Sequence, residues 1–159
     1  MFGLIRLVNE MKKVFISNSE KETKVLAEKI ASIAHKGDVF ALYGTLGIGK
    51  SVFSRAFIQK LTMVDDVPSP TFTLVQEYNA KDFNIYHFDL YRLKHADEVF
   101  ELGFEDAIYN GVSLIEWPEK AGTWLPKDIF NIEIEPYTKG RKITITVSSE
   151  EKTSRLCVI

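Results

Sequence analysis

Cysteine is almost missing from this chain; Cys157, two residues from the end, is the only one. A single cysteine builds no disulfide framework and gives no metal-ligand spacing, so the fold is expected to need neither staple and the compartment reads as reducing. A surplus of positive charge is missing too. Twenty Lys and Arg stand against 22 Asp and Glu, for a net charge of −2, and apart from Lys12-Lys13 the basic residues are scattered. A chain that grips RNA or DNA by itself carries a basic footprint, so strong direct nucleic-acid binding is not expected. Long apolar runs are also lacking. The opening MFGLIRLVNEMKKVF is broken by Arg6, Asn9 and Glu10, too short and interrupted for a membrane span. It lacks the leading basic and trailing small residues of a secretory signal. The expected location is the cytoplasm, with no membrane attachment. Residues 1–10 read as an extension outside the fold and residues 11–159 as a single domain, a size that buries on the order of two thirds of the unfolded surface. No repeat or low-complexity segment divides the chain.

The apolar pattern present has two periods. KVFIS (13–17) has the length and composition of a strand. Ser19-Glu20-Lys21-Glu22 is a capping box, and behind it Leu26, Ile30 and Ile33 share a helical face, until Gly37 and Asp38 end the helix. VFALY (39–43) is a continuous apolar run, as in a strand buried on both faces. A helix from Ser51 to Leu61 follows, with Phe53, Phe57 and Leu61 on one side. Pro68 and Pro70 then stiffen a non-helical connection. Segments 72–78 and 83–91 read as a strand hairpin joined at Asn79–Asp82, 95–109 as acidic and helical, and 111–117 as an apolar strand stopped by Pro118. Segments 129–135 and 141–148 read as a last strand pair. The sum is an α/β fold: a central mixed sheet, parallel plus antiparallel, flanked by helices.

Between the 39–43 strand and the helix after it lies Gly44-Thr45-Leu46-Gly47-Ile48-Gly49-Lys50-Ser51, which fits the phosphate-loop pattern G-x-x-x-x-G-K-[ST]. Composition alone produces that pattern in roughly one chain of this length in a few hundred, and the strand–loop–helix context is the one the motif requires. Phosphate oxygens need several donors aimed at one spot. Gly44, Gly47 and Gly49 free the backbone to turn its N–H groups there, the helix N-terminus adds its dipole, Lys50 reaches outer phosphates, and the Ser51 hydroxyl suits Mg²⁺. A single-domain P-loop NTPase follows. The metal needs a further acid, and two apolar segments end in one: NIYHFD in Asp89 and VSLIE in Glu116. Both should lie at strand carboxyl ends, where open α/β sheets bind ligands. His87, two residues before Asp89, points to the same side of the strand and reads as packed and hydrogen-bonded. Tyr86, Phe88 and Tyr91 read as core or partner surface. Trp117 is open between core, nucleotide contact and partner contact. Arg92 is a candidate charge stabiliser, while Arg55 reads as a surface residue. SPTFT (69–73), hydroxyl-rich between two prolines and a strand, is open between a switch near the γ-phosphate and a rigid connector.

Taken in order, GTLGIGKSVFSRAF, SPTFTLVQEY, YHFDLYRL and LIEWPEK resemble the TsaE family (formerly YjeE) of bacterial tRNA threonylcarbamoyladenosine biosynthesis, over about residues 16–147. The resemblance implies a weak, Mg²⁺-dependent ATPase that works with the TsaB and TsaD proteins. TsaD transfers the threonylcarbamoyl group to adenosine 37 of tRNA, and the family member touches tRNA only through the complex. Carried over by position, Gly44, Gly47, Ile48, Gly49, Lys50, Ser51 and Val52 would hold the ATP phosphates, with Ser51 and Glu116 on Mg²⁺. Asp89 and Lys50 would act at the γ-phosphate or its attacking water. Segment 69–73, with Thr71, would be the mobile switch, and residues from Lys21 to Thr23 would approach the base. Two positions depart from the family pattern: Thr45 stands where Asp is common, removing a loop charge, and Ser51 where Thr is common, keeping the hydroxyl. The other readings compatible with a phosphate loop are a small-molecule or nucleotide kinase and a binding module that never hydrolyses.

Overall fold

The computed structural model describes residues 10–159; of the expected extension, all but Glu10 lies outside the described residues. The elements are β1 (Met11–Ser17), α1 (Glu20–Ser32), β2 (Val39–Tyr43), α2 (Lys50–Leu61), β3 (Val75–Asn79), β4 (Asn84–Asp89), α3 (Phe104–Asn110), β5 (Gly111–Glu116), β6 (Phe130–Tyr137), β7 (Gly140–Val147) and α4 (Glu150–Leu156), with 3₁₀ turns at Ala96–Leu102 and Pro118–Trp124. All seven strands form one sheet in the order β1-β7-β6-β2-β5-β4-β3. The centre, β6-β2-β5-β4, is parallel, and antiparallel β7 with β1 and β3 complete the two sides. This is the expected α/β fold with a mixed sheet. Among the described residues no helix is long and apolar enough to cross a membrane.

The run VFALY sits at the middle of this sheet because both its faces are covered. Phe40 and Leu42 turn toward one cluster, with Leu26 and Ile30 of α1, Phe53 and Phe57 of α2, and Leu156 of α4. Val39 and Ala41 turn toward another, with Phe88, Phe104, Ala107 and Ile115. Alternation along a strand sends successive side chains to opposite faces, so five consecutive apolar residues are the signature of a strand with helices on both sides. Phe40 is the pivot of the first cluster. Its ring stacks on Phe130 at 4.7 Å and tilts against Phe57 at 5.0 Å.

Helix α1 is capped as expected at Ser19, whose hydroxyl accepts from the Glu22 N–H at 3.2 Å. The returning arm differs from the usual box: the Glu22 carboxylate accepts from the Asn18 N–H at 2.5 Å. Four other expectations are corrected. Strand β1 begins at Met11 because its pairing with β7 runs from Met11↔Val147 to Ser17↔Arg141. The segment 72–78 is a strand only from Val75. Before it the chain turns, with the Leu74 N–H on the Pro70 carbonyl at 2.6 Å and Leu74 itself at φ 66°. The helical stretch 95–109 is broken at Gly103, which takes the left-handed conformation at φ 71°, so a 3₁₀ turn and a short α-helix replace one helix. Helix α4 was not expected at all. It is capped by Ser149, which accepts from the Lys152 N–H, and has Glu150 and Glu151 in its first turn, a legible start signal. Arg155 on α4 forks onto Asp38, just before β2, at 2.5 and 2.9 Å. Burial works against the Arg155 charge, but the hydrogen bonds and charges of Asp38 and Glu151 outweigh it and hold the guanidinium well above its usual range.

Candidate active site

The loop from Gly44 to Gly49 joins the carboxyl end of β2 to α2, and its shape is set by three glycines at positive φ: Gly44 at 149°, Gly47 at 79° and Gly49 at 124°. Gly44 is the most constrained, because a Cβ there would lie 2.8 Å from the Ile134 carbonyl oxygen and 2.7 Å from the Ile48 side chain. Gly44→Ala is therefore expected to lose about 1–3 kcal/mol and to abolish nucleotide binding, read by thermal unfolding and by titration with a fluorescent ATP analogue. Beside Gly47 and Gly49 a Cβ would meet nothing within 4 Å; these two border open space. Helix α2 follows its N-cap residue Gly49, with no side-chain cap and no acid in its first turn. Its leading N–H groups thus stay available to an anion, which their dipole favours.

Lys50 opens α2 and is 4% exposed. Its Nζ donates to the Gly44 carbonyl at 2.6 Å and lies 3.6 Å from the centroid of the Trp117 ring. Burial pushes this ammonium below its usual range, against the raising pull of Glu116, Glu119 and Asp89. Trp117 reaches the lysine because its backbone takes the left-handed conformation, φ 58°, between β5 and Pro118. Trp117 faces the phosphate loop, with Tyr91 against its ring at 4.9 Å, and is also packed against the second core cluster.

The two acids are brought together by register. Asp89 and Glu116 stand opposite each other at the carboxyl ends of parallel β4 and β5, and Leu42 of β2 stands opposite Glu116 on the other side. Glu116 is 3% exposed and Asp89 is 7%. One Glu116 oxygen, Oε1, accepts from the Ser51 hydroxyl at 3.5 Å, and the other, Oε2, lies 2.6 Å from His87 Nε2. Asp89 accepts from the Thr71 hydroxyl at 3.1 Å and from the Tyr91 N–H at 3.1 Å, and Thr71 in turn meets Ser69 at 2.8 Å. His87 is packed and hydrogen-bonded as expected, with Glu116 as its partner.

Two adjoining cavities share Gly47, Gly49 and Val52. One, of about 220 Å³, collects Lys50, Ser51, Thr71, Asp89, Glu116 and Trp117. The other, of about 240 Å³, is lined by Ser17, Asn18, Thr23, Ile48, Lys139 and Arg141 among others. Of the two residues expected at the base, Thr23 lines the second cavity, whereas Lys21 lies on the outer side of the same turn, in a shallow groove with Ile16 and Val25. Arg92 rests over the exposed Phe72 ring at 4.4 Å, and Arg55 is exposed along α2. Sequence reasoning missed the β6–β7 turn, where Lys139 and Arg141 close the second cavity and Arg141 Nε donates to the Ile48 carbonyl at 2.7 Å. No local motif marks it.

The donor set is oxygen-rich: the Ser51 hydroxyl and the Glu116 carboxylate at the head of a helix whose N–H groups are open. Among the described residues no group of three His, Cys, Asp or Glu makes a metal cage. Such a set fits Mg²⁺, which takes one or two protein oxygens and fills its octahedron with phosphate and water.

Comparison with known proteins bears on the family and the fold. The family profile "Threonylcarbamoyl adenosine biosynthesis protein TsaE" matches residues 17–143. The chain is 37% identical to the tRNA threonylcarbamoyladenosine biosynthesis protein TsaE of Rickettsia conorii, over 87% of this chain and 79% of that protein. It is 39% identical to the protein of the same name from Bacillus subtilis, over 79% and 80%. The crystal structure of YdiB from Bacillus subtilis superposes with a TM-score of 0.76 at 30% identity, covering 93% of each chain. A family profile spanning most of the chain, relatives at this identity and a shared fold lead to one conclusion: the chain belongs to the TsaE family of threonylcarbamoyl adenosine biosynthesis proteins.

Proposed function

We propose that this protein binds ATP with Mg²⁺ and hydrolyses it slowly, as an accessory ATPase that acts with TsaB and TsaD in forming threonylcarbamoyladenosine at position 37 of tRNA. The observation that carries the reading is the convergence of Lys50, Ser51, Thr71, Asp89 and Glu116 on one cavity at the open head of α2. Loop N–H groups and Lys50 bind and orient the phosphates. Ser51 and Glu116 hold the cation, which supplies charge neutralisation at the transferring phosphoryl group. Asp89, fixed by Thr71 and the Tyr91 N–H, is placed to orient the attacking water. Positioning and electrostatics do most of the work in phosphoryl transfer, so few catalytic side chains are required.

Kinase chemistry calls for arginines free to close over the acceptor. The later half of this chain offers three: Arg92 rests over the Phe72 ring, Arg141 donates to the Ile48 carbonyl, and Arg155 is paired with Asp38 at the far end of β2. That weighs against the kinase reading. The test is ATP hydrolysis by the purified chain, alone and with its matching TsaB and TsaD. Slow turnover that rises with both partners is the expected result. Fast turnover indifferent to partners, or phosphate transfer to a small-molecule acceptor, would sink the proposal.

A further inference from the structure

Glu116 has two oxygens and only one faces Ser51. The other is held by a residue that the functions above leave unused. His87 is 2% exposed, and its Nε2 lies 2.6 Å from Glu116 Oε2 inside the protein. A carboxylate only accepts, so the hydrogen between them sits on Nε2. The other ring nitrogen, Nδ1, is buried with no hydrogen-bond partner among the described residues. Among those residues the imidazole's one hydrogen bond is to an oxygen of Glu116.

A buried, half-unpaired imidazole is a costly way to fill space, since a polar atom left without a partner loses its hydration. A leucine of similar volume would remove the unpaired nitrogen but leave Glu116 Oε2 buried without this donor. What the histidine adds is direction. With Oε2 fixed, the carboxylate plane is fixed, and Oε1 is turned toward the Ser51 hydroxyl. Groups that orient a metal-binding carboxylate from behind commonly matter to metal affinity by about 10–100-fold.

We propose that His87 is a positioning residue for the Mg²⁺ site: its Nε2–H locks Glu116 so that one oxygen is presented, with Ser51, to the cation. The inference rests on the nucleotide reading above and adds to it the residue that sets the metal ligand's geometry. It is tested by titrating Mg²⁺ into the protein with a fluorescent ATP analogue and reading nucleotide affinity with and without the cation. His87→Leu is expected to raise the Mg²⁺ concentration at half-effect by about 10–100-fold while leaving affinity in EDTA unchanged. His87→Gln, whose amide N–H can reach the same oxygen, is expected to recover most of the loss; a purely structural role predicts no such recovery. In the wild-type protein, labelled at histidine nitrogen, NMR should show an exchange-protected Nε2 proton on His87 that shifts when Mg²⁺ joins the nucleotide. This measurement needs no folded variant, and a bare Nε2 overturns the inference. A folded His87→Leu protein with wild-type Mg²⁺ dependence also overturns it, leaving the nucleotide reading intact. A wild-type protein whose nucleotide affinity ignores Mg²⁺ overturns both.

Discussion

Lys50→Met is expected to lower ATP hydrolysis by about 10²–10³-fold, the usual effect of removing one positioned donor from a charged transition state, while leaving the melting temperature unchanged or raised. The two halves of that result come from one observation. Lys50 is buried, and in the described structure its ammonium is satisfied only by the Gly44 carbonyl and the face of Trp117. Its charge is disfavoured by desolvation, which outweighs the pull of the nearby carboxylates and holds its ionisation below the usual lysine range. A group whose folded pKa is lowered in this way gives up stability wherever it is charged, which includes neutral pH, so methionine relieves a cost and keeps the aliphatic stem over Trp117. The charge is retained against stability, as functional sites commonly require. Paired assays of steady-state hydrolysis and thermal unfolding check both halves. A variant that loses activity only because it unfolds would show Lys50 to be structural.

Phe40→Ala should show the opposite profile. Phe40 has no exposed surface and packs between Phe57 and Phe130, at the point where α2, β2 and β6 meet. Large-to-small changes of this kind cost about 3–5 kcal/mol. In a chain of this size that lowers the melting temperature by about 6–20 °C. β2 carries the phosphate loop, so a mutant that stays folded at low temperature should also bind nucleotide less tightly. Calorimetry, with a fluorescent-nucleotide titration at 10 °C, separates the two effects. A fall of less than a few degrees would mean that the cluster repacks around the space.

Where residues near in sequence do the work, the chain declares itself early. The phosphate loop, the Ser19 cap and the doubly buried VFALY run are local patterns, and the structure places each where its pattern points. Asp89 and Glu116 were legible as ends of apolar strands, yet only the β4–β5 register shows them side by side. The readings that failed depend on distant contacts or on single backbone torsions. Leu74 and Gly103 turn at positive φ, and neither torsion is written in hydrophobic period. What the sequence could not name, the Glu116 partner of His87 and the closing of the second cavity by Lys139 and Arg141, joins residues separated by 29 positions or more. No window along the chain sees such pairs.

The fork of Arg155 on Asp38 has a practical consequence for anyone preparing shortened versions of this protein. The stretch recognisable as the family, 17–143, stops short of α4. A fragment cut to that stretch would strip Asp38 of both guanidinium contacts, leaving its buried carboxylate with the His35 N–H, and would also remove nearly all of β1 from beside β7. The boundary of likeness and the boundary of folding are different lines in this molecule. A shortened version meant to fold should keep the whole of β1 and run through Ile159, which packs against the main core and accepts from Lys13 Nζ.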